Sequence, residues 1–381
     1  MAPLAGLKVL ELARILAGPW IGQSLADLGA EVIKVESPTG DDTRTWGPPF
    51  IDRDGDRTAA YFYACNRGKQ SVIADFNTAA GRALVRDLVL ESDVLIENFK
   101  VGGLARYGLD YASLKVINPG LIYCSVTGFG QTGPYAHRAG YDFLIQGMSG
   151  LMSVTGASED EPQKVGVAVT DLFTGLYGVI AIQAALSQRM RTGEGQHIDL
   201  ALLDCATAMM ANQNMNYLVT GQAPQRLGNH HPNIVPYQVV TVANGHVILA
   251  VGNDDQYQRL CKVLQRPDLG ADERFQTNAG RVNHRPELLR ELEPELRRWT
   301  KSNLLAALET AGIPGGPINA IDEVFADPQV QARGLRIAPD GVPGVRSPWR
   351  FSGSDSVANQ TAPKLGEHTA AVKQRLGHPG Q

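Results

Sequence analysis

Three glycines in the stretch TGFGQTGP, residues 127–134, have the spacing G-x-G-x-x-G that could bind a dinucleotide. In such a site the glycines open a helix whose first backbone amides receive the pyrophosphate, and an acidic residue follows about 20 positions later. Here Pro134 follows the last glycine, no apolar stripe of helical period begins behind it, and residues 147–158 contain no carboxylate. The stretch therefore predicts a loop and argues against a nicotinamide-dependent dehydrogenase.

The cysteines and the paired histidines show no spacing that is typical of a metal centre. The cysteines are far apart and form no C-x-x-C pair, so we expect them to be reduced and buried; they are Cys65, Cys124, Cys205 and Cys261. His230 and His231 are adjacent, and neighbouring side chains of an extended segment point to opposite faces. The sequence therefore predicts no metal site.

The composition is that of a soluble globular protein. The 381 residues are 43% hydrophobic and 19% charged, which suits two domains or one large one. With 35 basic and 39 acidic side chains the formal net charge is −4, so bulk charge indicates neither a nucleic acid nor an anionic membrane as partner. The N-terminus lacks a signal-peptide pattern, and no apolar run approaches the ~20 residues of a membrane span. We expect a cytoplasmic protein.

Strand and helix patterns alternate through the first half of the chain and predict an α/β fold with a doubly wound, parallel sheet. Strand patterns lie at residues 7–12, 30–36, 70–76, 93–99 and 121–129, with helical patterns at 19–29, 79–92 and 110–118. In open α/β sheets ligands bind at the carboxyl ends of the strands. Those ends carry the sequences ESPTGDDTR, ENFKVGG and TGFGQTG.

The second half of the chain changes character after residue 224. A helix is predicted at 176–190, a strand at 196–202 and a long apolar helix to about residue 218. Residues 237–252 then read as a hairpin whose Asn244-Gly245 pair is typical of a type I′ turn. We predict a large domain at 1–205, a linker helix at 206–224, a smaller domain at 225–331, and a return to the large domain at 332–381.

Eight motifs that occur in one order resemble a known family. They are LAGPW, LADLGAEVIKVESPTGDDTR, ENFKVGGLARYGL, VTGFGQTGPY, AGYDF, VTDLFTG, RTGEGQHIDLALLD and GIPGGPINAIDEVFADPQV. Together they closely resemble the class III CoA-transferases, a family that contains formyl-CoA transferase, carnitine CoA-transferase and the α-methylacyl-CoA racemases. The resemblance covers residues 4–369. It implies a Rossmann-like large domain with a parallel sheet built from both chain ends, a smaller α+β middle domain, and an interlocked homodimer.

The resemblance implies that Asp171, in VTDLFTG, is the catalytic nucleophile. In this family the carboxylate attacks an acyl-CoA thioester and then carries CoA as an aspartyl thioester to an acceptor acid. Coenzyme A is therefore a substrate, and no metal or tightly bound cofactor is required. The residues alone favour another interpretation, because an aspartate here is a good N-cap for the helix that follows.

The resemblance also suggests which residues contact CoA. Arg106 matches a position that meets the phosphates, and Arg138 lies about one residue from another basic position. Further positions implied to contact CoA are Ile15, Leu16, Ala74, Asn98 and Tyr141. Arg67 and Lys69 precede the strand that ends at Ala74, where the adenine would pack; without the family, each such cation is expected to be a solvated surface charge. Formyl-CoA transferase has glutamine where this chain has Leu16.

Residues 225–238, QRLGNHHPNIVPYQ, differ from formyl-CoA transferase, which has a longer glycine-rich loop there. This version resembles the branch of succinate–hydroxymethylglutarate and related dicarboxylate CoA-transferases. Gly228, Asn229 and His230 are implied to cover the active site, although an ordinary domain-crossing loop is the alternative. Two other functions stay open: a racemase, which would have a histidine in place of Tyr141, and a non-catalytic acyl-CoA-binding protein.

Overall fold

The computed structural model describes residues 1–157, 161–354 and 359–377. Contacts divide the chain into two compact units. Unit 1 comprises residues 1–151, 165–222 and 328–381, and unit 2 comprises 152–164 and 223–327. The short segment 152–164, which the sequence patterns left in the large domain, thus packs with the middle of the chain.

Unit 1 begins with alternating strands and helices, as predicted. In chain order the elements are β1 (Lys8–Glu11), α1 (Ala17–Asp27), β2 (Glu31–Glu36), β3 (Phe50–Arg53), β4 (Asp56–Ala59), α2 (Ala60–Cys65), β5 (Gln70–Ile73), α3 (Ala79–Leu90), β6 (Val94–Glu97), α4 (Tyr111–Ile117) and β7 (Ile122–Thr127). They continue with α5 (Asp142–Met148), α6 (Leu151–Val154) at the boundary to unit 2, α7 (Val169–Thr192), β8 (His197–Ala201), α8 (Leu202–Met209) and α9 (Ala211–Thr220).

Six of these strands form one parallel sheet in the order β5-β2-β1-β6-β7-β8, while β3 and β4 form a separate hairpin. Successive residues of a strand point to opposite faces, and β1 shows the result. Val9 packs in an apolar cluster with α1 and α7, and Leu10 packs in another with α3. Helices therefore cover both faces of the sheet, as a doubly wound fold requires.

Unit 2 is built around an antiparallel sheet and several helices. Its elements are β9 (Tyr237–Val242), β10 (Gly245–Ala250), α10 (Asp254–Val263), α11 (Pro267–Ala271), α12 (Asn278–Asn283), α13 (Arg285–Leu296), α14 (Lys301–Thr310), β11 (Gly315–Pro317) and α15 (Ile321–Ala326). The predicted hairpin is present, because β9 pairs with β10 across the turn at Asn244 and Gly245. β11 pairs on the other edge of β10.

The C-terminal segment returns to unit 1 but adds no strand to the parallel sheet within the described residues. It forms α16 (Pro328–Ala332), the small hairpin β12 (Arg336–Ile337) and β13 (Gly344–Val345), and α17 (Thr369–Arg375). α17 packs against β5 at the edge of the sheet. The expectation of a sheet built from both chain ends is therefore wrong: all six strands lie between residues 8 and 201, and the C-terminus covers the sheet with a helix.

Two glycines of α7 bring this helix against α1. A Cβ at Gly175 would lie 2.8 Å from the Cδ1 atom of Trp20, and one at Gly178 would overlap the side chain of Ile21. Only glycine permits so close an approach of the two helices. The second and third turns of α7 are thereby held against the beginning of α1.

α7 is longer than the pattern indicated, because it begins at Val169 and not near Leu176. By length and composition it could span a membrane. Several of its side chains are nevertheless buried in the same apolar cluster as β1 and α1, among them Val179 and Ile182. It is therefore a core helix of unit 1.

Candidate active site

A cleft of about 500 Å³ opens in unit 1 at the carboxyl ends of β1, β6 and β7 and at the first turns of α1 and α7. It lies where an α/β sheet is expected to bind a ligand. Seven of the residues that the sequence linked to catalysis or CoA line it: Ile15, Leu16, Asn98, Arg106, Arg138, Tyr141 and Asp171. Segments far apart in sequence thus meet in one place.

Ala74 and the loop at 228–230 are not among these lining residues. Ala74 is 5% exposed and lies in the core next to α3, where its amide donates to the carbonyl of Glu36 at 2.9 Å. Gly228 and Asn229 belong to a turn of unit 2. His230 lines a separate cavity of about 240 Å³ within that unit.

Asp171 is the third residue of α7, so the interpretation of this aspartate as the helix N-cap is wrong. The N-cap position is Ala168, which has no side chain that could accept a hydrogen bond. The cap comes instead from α5: Oδ1 of Asp142 accepts from the amide of Thr170 at 2.8 Å and from its hydroxyl at 2.7 Å. The Asp171 carboxylate is left to face the cleft.

Burial and a neighbouring charge change the acidity of Asp171. Desolvation, followed by repulsion from Asp142, raises the pKa of Asp171 to about 7. Asp171 is in turn one of the charges that, after burial, raise the pKa of Tyr61 to about 12. A carboxylate in such surroundings is poorly solvated, which makes it a better nucleophile than one in water.

Among the charged side chains that line the cleft, cations outnumber carboxylates. Arg14, Lys100, Arg106 and Arg138 contribute to it, and Asp171 is the only acidic residue among the lining side chains of the described chain. Arg14 is paired with a carboxylate outside the cleft, but no described residue forms an ion pair with Arg106 or Arg138. Despite the acidic net charge, this surface is suited to a ligand with several phosphate groups.

The glycine-rich stretch 127–134 forms a loop behind the end of β7, as predicted, and its first two residues, Thr127 and Gly128, line the cleft. A Cβ at Gly128 would lie 2.5 Å from the Cα atom of Gly140. The glycine is therefore required for two backbone segments to touch, and no helix begins behind it to cradle a pyrophosphate.

A sequence model of the family described as CoA-transferase family III matches residues 4–369. The chain belongs to this family. It is 59% identical to a succinate–glutarate CoA-transferase of Agrobacterium fabrum, over 98% of this chain and 96% of the relative. It is 40% identical to the succinyl-CoA:glutarate CoA-transferase of Homo sapiens, over 98% of this chain and 86% of the relative. The resemblance that the motifs indicated is confirmed.

Solved structures of the same fold are similar to this CoA-transferase along almost its whole length. A CaiB/BaiF family protein from Brucella suis has 62% sequence identity and a TM-score of 0.89, covering 98% of this chain and 99% of the other. A protein from Mycobacterium tuberculosis has 30% identity and a TM-score of 0.87, covering 97% and 99%. The chain therefore shares its whole fold with these proteins, and not only the motifs.

The sequence misassigned two cations of this CoA-transferase. The resemblance placed Arg67 and Lys69 near the adenine, and without the family they were expected to be solvated surface charges; they are 5% and 2% exposed. The guanidinium of Arg67 pairs with Asp27 at 2.5 Å, and the ammonium of Lys69 pairs with Glu11 at 2.9 Å. Both cations are neutralised in the core and neither lines the cleft, so they are not available for a phosphate.

The structure also adds residues that the sequence analysis had not singled out. Arg14 and Lys100 line the cleft, next in sequence to the predicted Ile15 and to Phe99. Asp142 caps the helix of Asp171, although it lies 28 residues from Thr170 in sequence. In the sequence, only the motif AGYDF drew attention to Asp142. Its capping role could not be predicted, because a cap that comes from a distant helix leaves no local sequence pattern.

Proposed function

We propose that this CoA-transferase moves CoA from succinyl-CoA to a dicarboxylic acid such as glutarate, with Asp171 as the covalent carrier. The observation on which this rests is the position of Asp171: it is the single carboxylate among the described residues that line a cation-rich cleft. The names of the relatives from Agrobacterium fabrum and Homo sapiens support the choice of the two acids.

The proposed reaction consists of two acyl exchanges and their reversal. The Asp171 carboxylate attacks the thioester carbonyl of the donor, and the carbon–sulfur bond breaks with its electron pair on the CoA thiolate, which leaves a mixed anhydride. The thiolate then attacks the aspartyl carbonyl and expels the donor acid as a carboxylate. An acceptor carboxylate repeats these steps in reverse. One thioester replaces another, so no nucleotide, electron or net proton is consumed.

The other cleft residues have roles that follow from their chemistry. Arg106 and Arg138 bind the CoA phosphates, since each is exposed and forms no ion pair with a described residue. The guanidinium of Arg106 lies 4.6 Å from the ring centroid of Tyr107, and that of Arg138 lies 4.6 Å from the ring centroid of Tyr135. Tyr141 is 65% exposed and lies beside the thioester or donates a hydrogen bond to it. Ile15, Leu16 and Asn98 line the path of the pantetheine arm.

We also propose a homodimer. α7 presents an apolar stripe with the helical spacing i, i+3, i+4, i+7, formed by side chains that are 37–64% exposed: Phe173, Leu176, Tyr177 and Ile180. A stripe of this kind requires a partner surface. The relationship to the family supports a second, interlocked copy of the chain as that partner.

The four buried, free cysteines agree with the reducing cytoplasm as the proposed compartment.

The function is tested with succinyl-CoA and matched acceptor acids, with new CoA esters identified by mass spectrometry. Glutarate is expected to accept CoA, and valerate, which has the same chain length but lacks the second carboxylate, to accept it much more slowly. Transfer to valerate at an equal rate would contradict dicarboxylate specificity. Transfer to no acid in the panel would overturn the proposed function.

The covalent route has its own test. Hydroxylamine added during turnover is expected to convert an acylated Asp171 to its hydroxamate, which is detected in the peptide that contains this residue. An unmodified Asp171 peptide under turnover would contradict the covalent route.

Racemisation of a 2-methylacyl-CoA is the second candidate, and Tyr141 is the observation that bears on it. A racemase needs two groups that exchange the α-proton near working pH, and a phenol with a reference pKa of about 10 replaces a histidine here. Incubation of (2R)-methylacyl-CoA in heavy water is expected to leave the α-carbon unlabelled. Rapid deuterium uptake without CoA transfer would favour the racemase.

A further inference from the structure

The turn between β1 and α1, residues 13–16, has an unfavourable backbone and forms one wall of the cleft. Ile15 has a φ of 74°, in the left-handed region that a β-branched side chain rarely adopts. Both Ile15 and Leu16 line the cleft together with Asp171. A conformation of this kind persists only where the surrounding structure holds it in place.

Asp41 supplies the hold on Ile15. The amide of Ile15 donates to the two oxygens of the Asp41 carboxylate at 3.3 and 3.2 Å. On the other side of the residue, the carbonyl of Ile15 accepts from the Cys65 thiol at 3.5 Å. The preceding residue, Arg14, is held by Asn98, which accepts from its amide at 2.9 Å and donates to its carbonyl at 2.6 Å.

Asp41 is itself fixed from several directions. It is 1% exposed and pairs with the fully buried ammonium of Lys34 at 3.0 Å. It also accepts from the amide of Thr43 at 3.0 Å and from its hydroxyl at 2.8 Å. Lys34 in turn donates to the carbonyl of Ala13 at 2.7 Å. One buried ion pair therefore holds the turn at both Ala13 and Ile15.

The pair continues into a network with balanced charge beneath α1. Glu11 lies between Lys34 and Lys69, at 3.1 and 2.9 Å, and the Lys69 ammonium donates to the carbonyl of Pro19 in α1 at 2.9 Å. A Cβ at Gly22 would overlap the Glu11 carboxylate, so α1 rests directly on these groups. Two ammonium groups and two carboxylates are buried together, which a fold tolerates only when all are paired.

We propose that Asp41 is a positioning residue for CoA transfer: by holding the Ile15 amide it fixes the turn of residues 13–16 that forms the wall of the cleft beside Asp171. The inference rests on the proposed function, because it assigns this wall to the acyl-CoA. It differs from a purely stabilising ion pair in one respect. The carboxylate bonds directly to the strained residue of the cleft, so its loss misplaces the substrate and does not only loosen the core.

Asp41→Asn tests the proposal, with Asp27→Asn as the matched control. The side chain of Asn has nearly the same shape, but its amide group cannot neutralise Lys34 and bond to Ile15 together. Asp27 is 2% exposed and pairs with Arg67, yet it does not line the cleft. We expect Asp41→Asn to lower kcat/KM for acyl-CoA by about tenfold to a hundredfold, mainly through KM, and Asp27→Asn to change only the melting temperature. Equal kinetic losses in the two variants would overturn the proposal.

A double-mutant cycle separates the strained turn from general destabilisation. Glycine adopts positive φ without strain, so the loss caused by Asp41→Asn is expected to be smaller in an Ile15→Gly background than in the wild-type background. The same loss in both backgrounds contradicts the role of Ile15.

If Asp41→Asn fails to fold, Thr43→Val removes only the hydroxyl bond to Asp41, and a smaller loss of kcat/KM is expected in the same direction; an unchanged kcat/KM contradicts the proposal.

Two further measurements keep this inference separate from the proposed function. Amide hydrogen exchange in residues 13–16 is expected to accelerate in Asp41→Asn and not in Asp27→Asn. CoA binding, followed by calorimetry, is expected to weaken in the same variant. If wild type transfers CoA to no acid, the proposed function fails and these two measurements still decide whether Asp41 positions the turn; unchanged exchange and unchanged CoA binding overturn the inference.

Discussion

Asp142 accepts a hydrogen bond from the amide of Thr170 at 2.8 Å, so a carboxylate from α5 caps the helix that carries Asp171. The same oxygen lies 3.4 Å from the amide nitrogen of Asp171. Two carboxylates therefore meet at one helix N-terminus, where the helix dipole favours negative charge. Asp142 caps α7 through its hydrogen bonds to Thr170. Asp171 lines the cleft, and its pKa is raised.

Asp171→Asn is expected to reduce CoA transfer by at least about three orders of magnitude, because the carboxylate forms the covalent intermediate. Affinity for CoA is expected to be unchanged, since the phosphates are bound by cations elsewhere in the cleft. Rates of thioester exchange and calorimetric binding constants measure the two effects. Asp110→Asn, which replaces a carboxylate at the start of α4, is the control and should retain full transfer. Appreciable transfer by the Asp171 variant would exclude its assigned role.

The value of kcat/KM is expected to fall with decreasing pH below about 7. The nucleophile must be ionised, and burial together with Asp142 raises the pKa of Asp171 to about 7. Below that pKa the ionised fraction decreases about tenfold for each pH unit. Asp142→Asn removes the negative neighbour but keeps an oxygen that caps α7, so the acidic limb of the profile should move to lower pH. Asp110→Asn should leave it in place, and a profile of Asp142→Asn identical to that of wild type would contradict this electrostatic account.

Asp171→Asn is expected to raise the melting temperature at pH 8 but hardly at pH 4. The pKa of Asp171 is about 7 in the folded protein and about 4 in the unfolded chain. Between these values the folded state binds the extra proton, so wild-type stability decreases as the pH rises toward 7, and the cost is complete above it. Asparagine has no such cost. Scanning calorimetry at the two pH values measures the difference, and an equal shift at both would show that ionisation is not the cause.

Ile180→Asp is expected to weaken the proposed dimer. Ile180 is 64% exposed and lies in the apolar stripe of α7, so a charge there would be buried without a partner if a second chain covers it. Val116 is 80% exposed on α4 and lies outside the stripe, and Val116→Asp is the control. Analytical ultracentrifugation should show a dimer for wild type and for the control down to nanomolar concentration. A folded wild-type monomer at that concentration would remove the proposal of interlocked chains.

The sequence alone located the six strands of the parallel sheet and identified the family, whereas it missed the β3–β4 hairpin and α5. Alternating apolar patterns such as those of residues 7–12 and 30–36 became β1 and β2, since period and length are local properties of the chain. The interruption at Pro134 correctly predicted a loop and no nucleotide-binding helix. The motif order identified the family and drew attention to Asp171, because several spaced motifs carry much more information than one.

The tertiary structure decided how the charged groups are used. Lys69 and Arg67 read as surface cations, but their partners Glu11 and Asp27 come from β1 and α1, which lie 58 and 40 residues away. The cap of α7 comes from Asp142 in another helix, and the hold on Ile15 comes from Asp41. A local pattern records how a segment folds and which face it buries. It does not record which distant group will meet a buried charge, because that depends on how the segments pack.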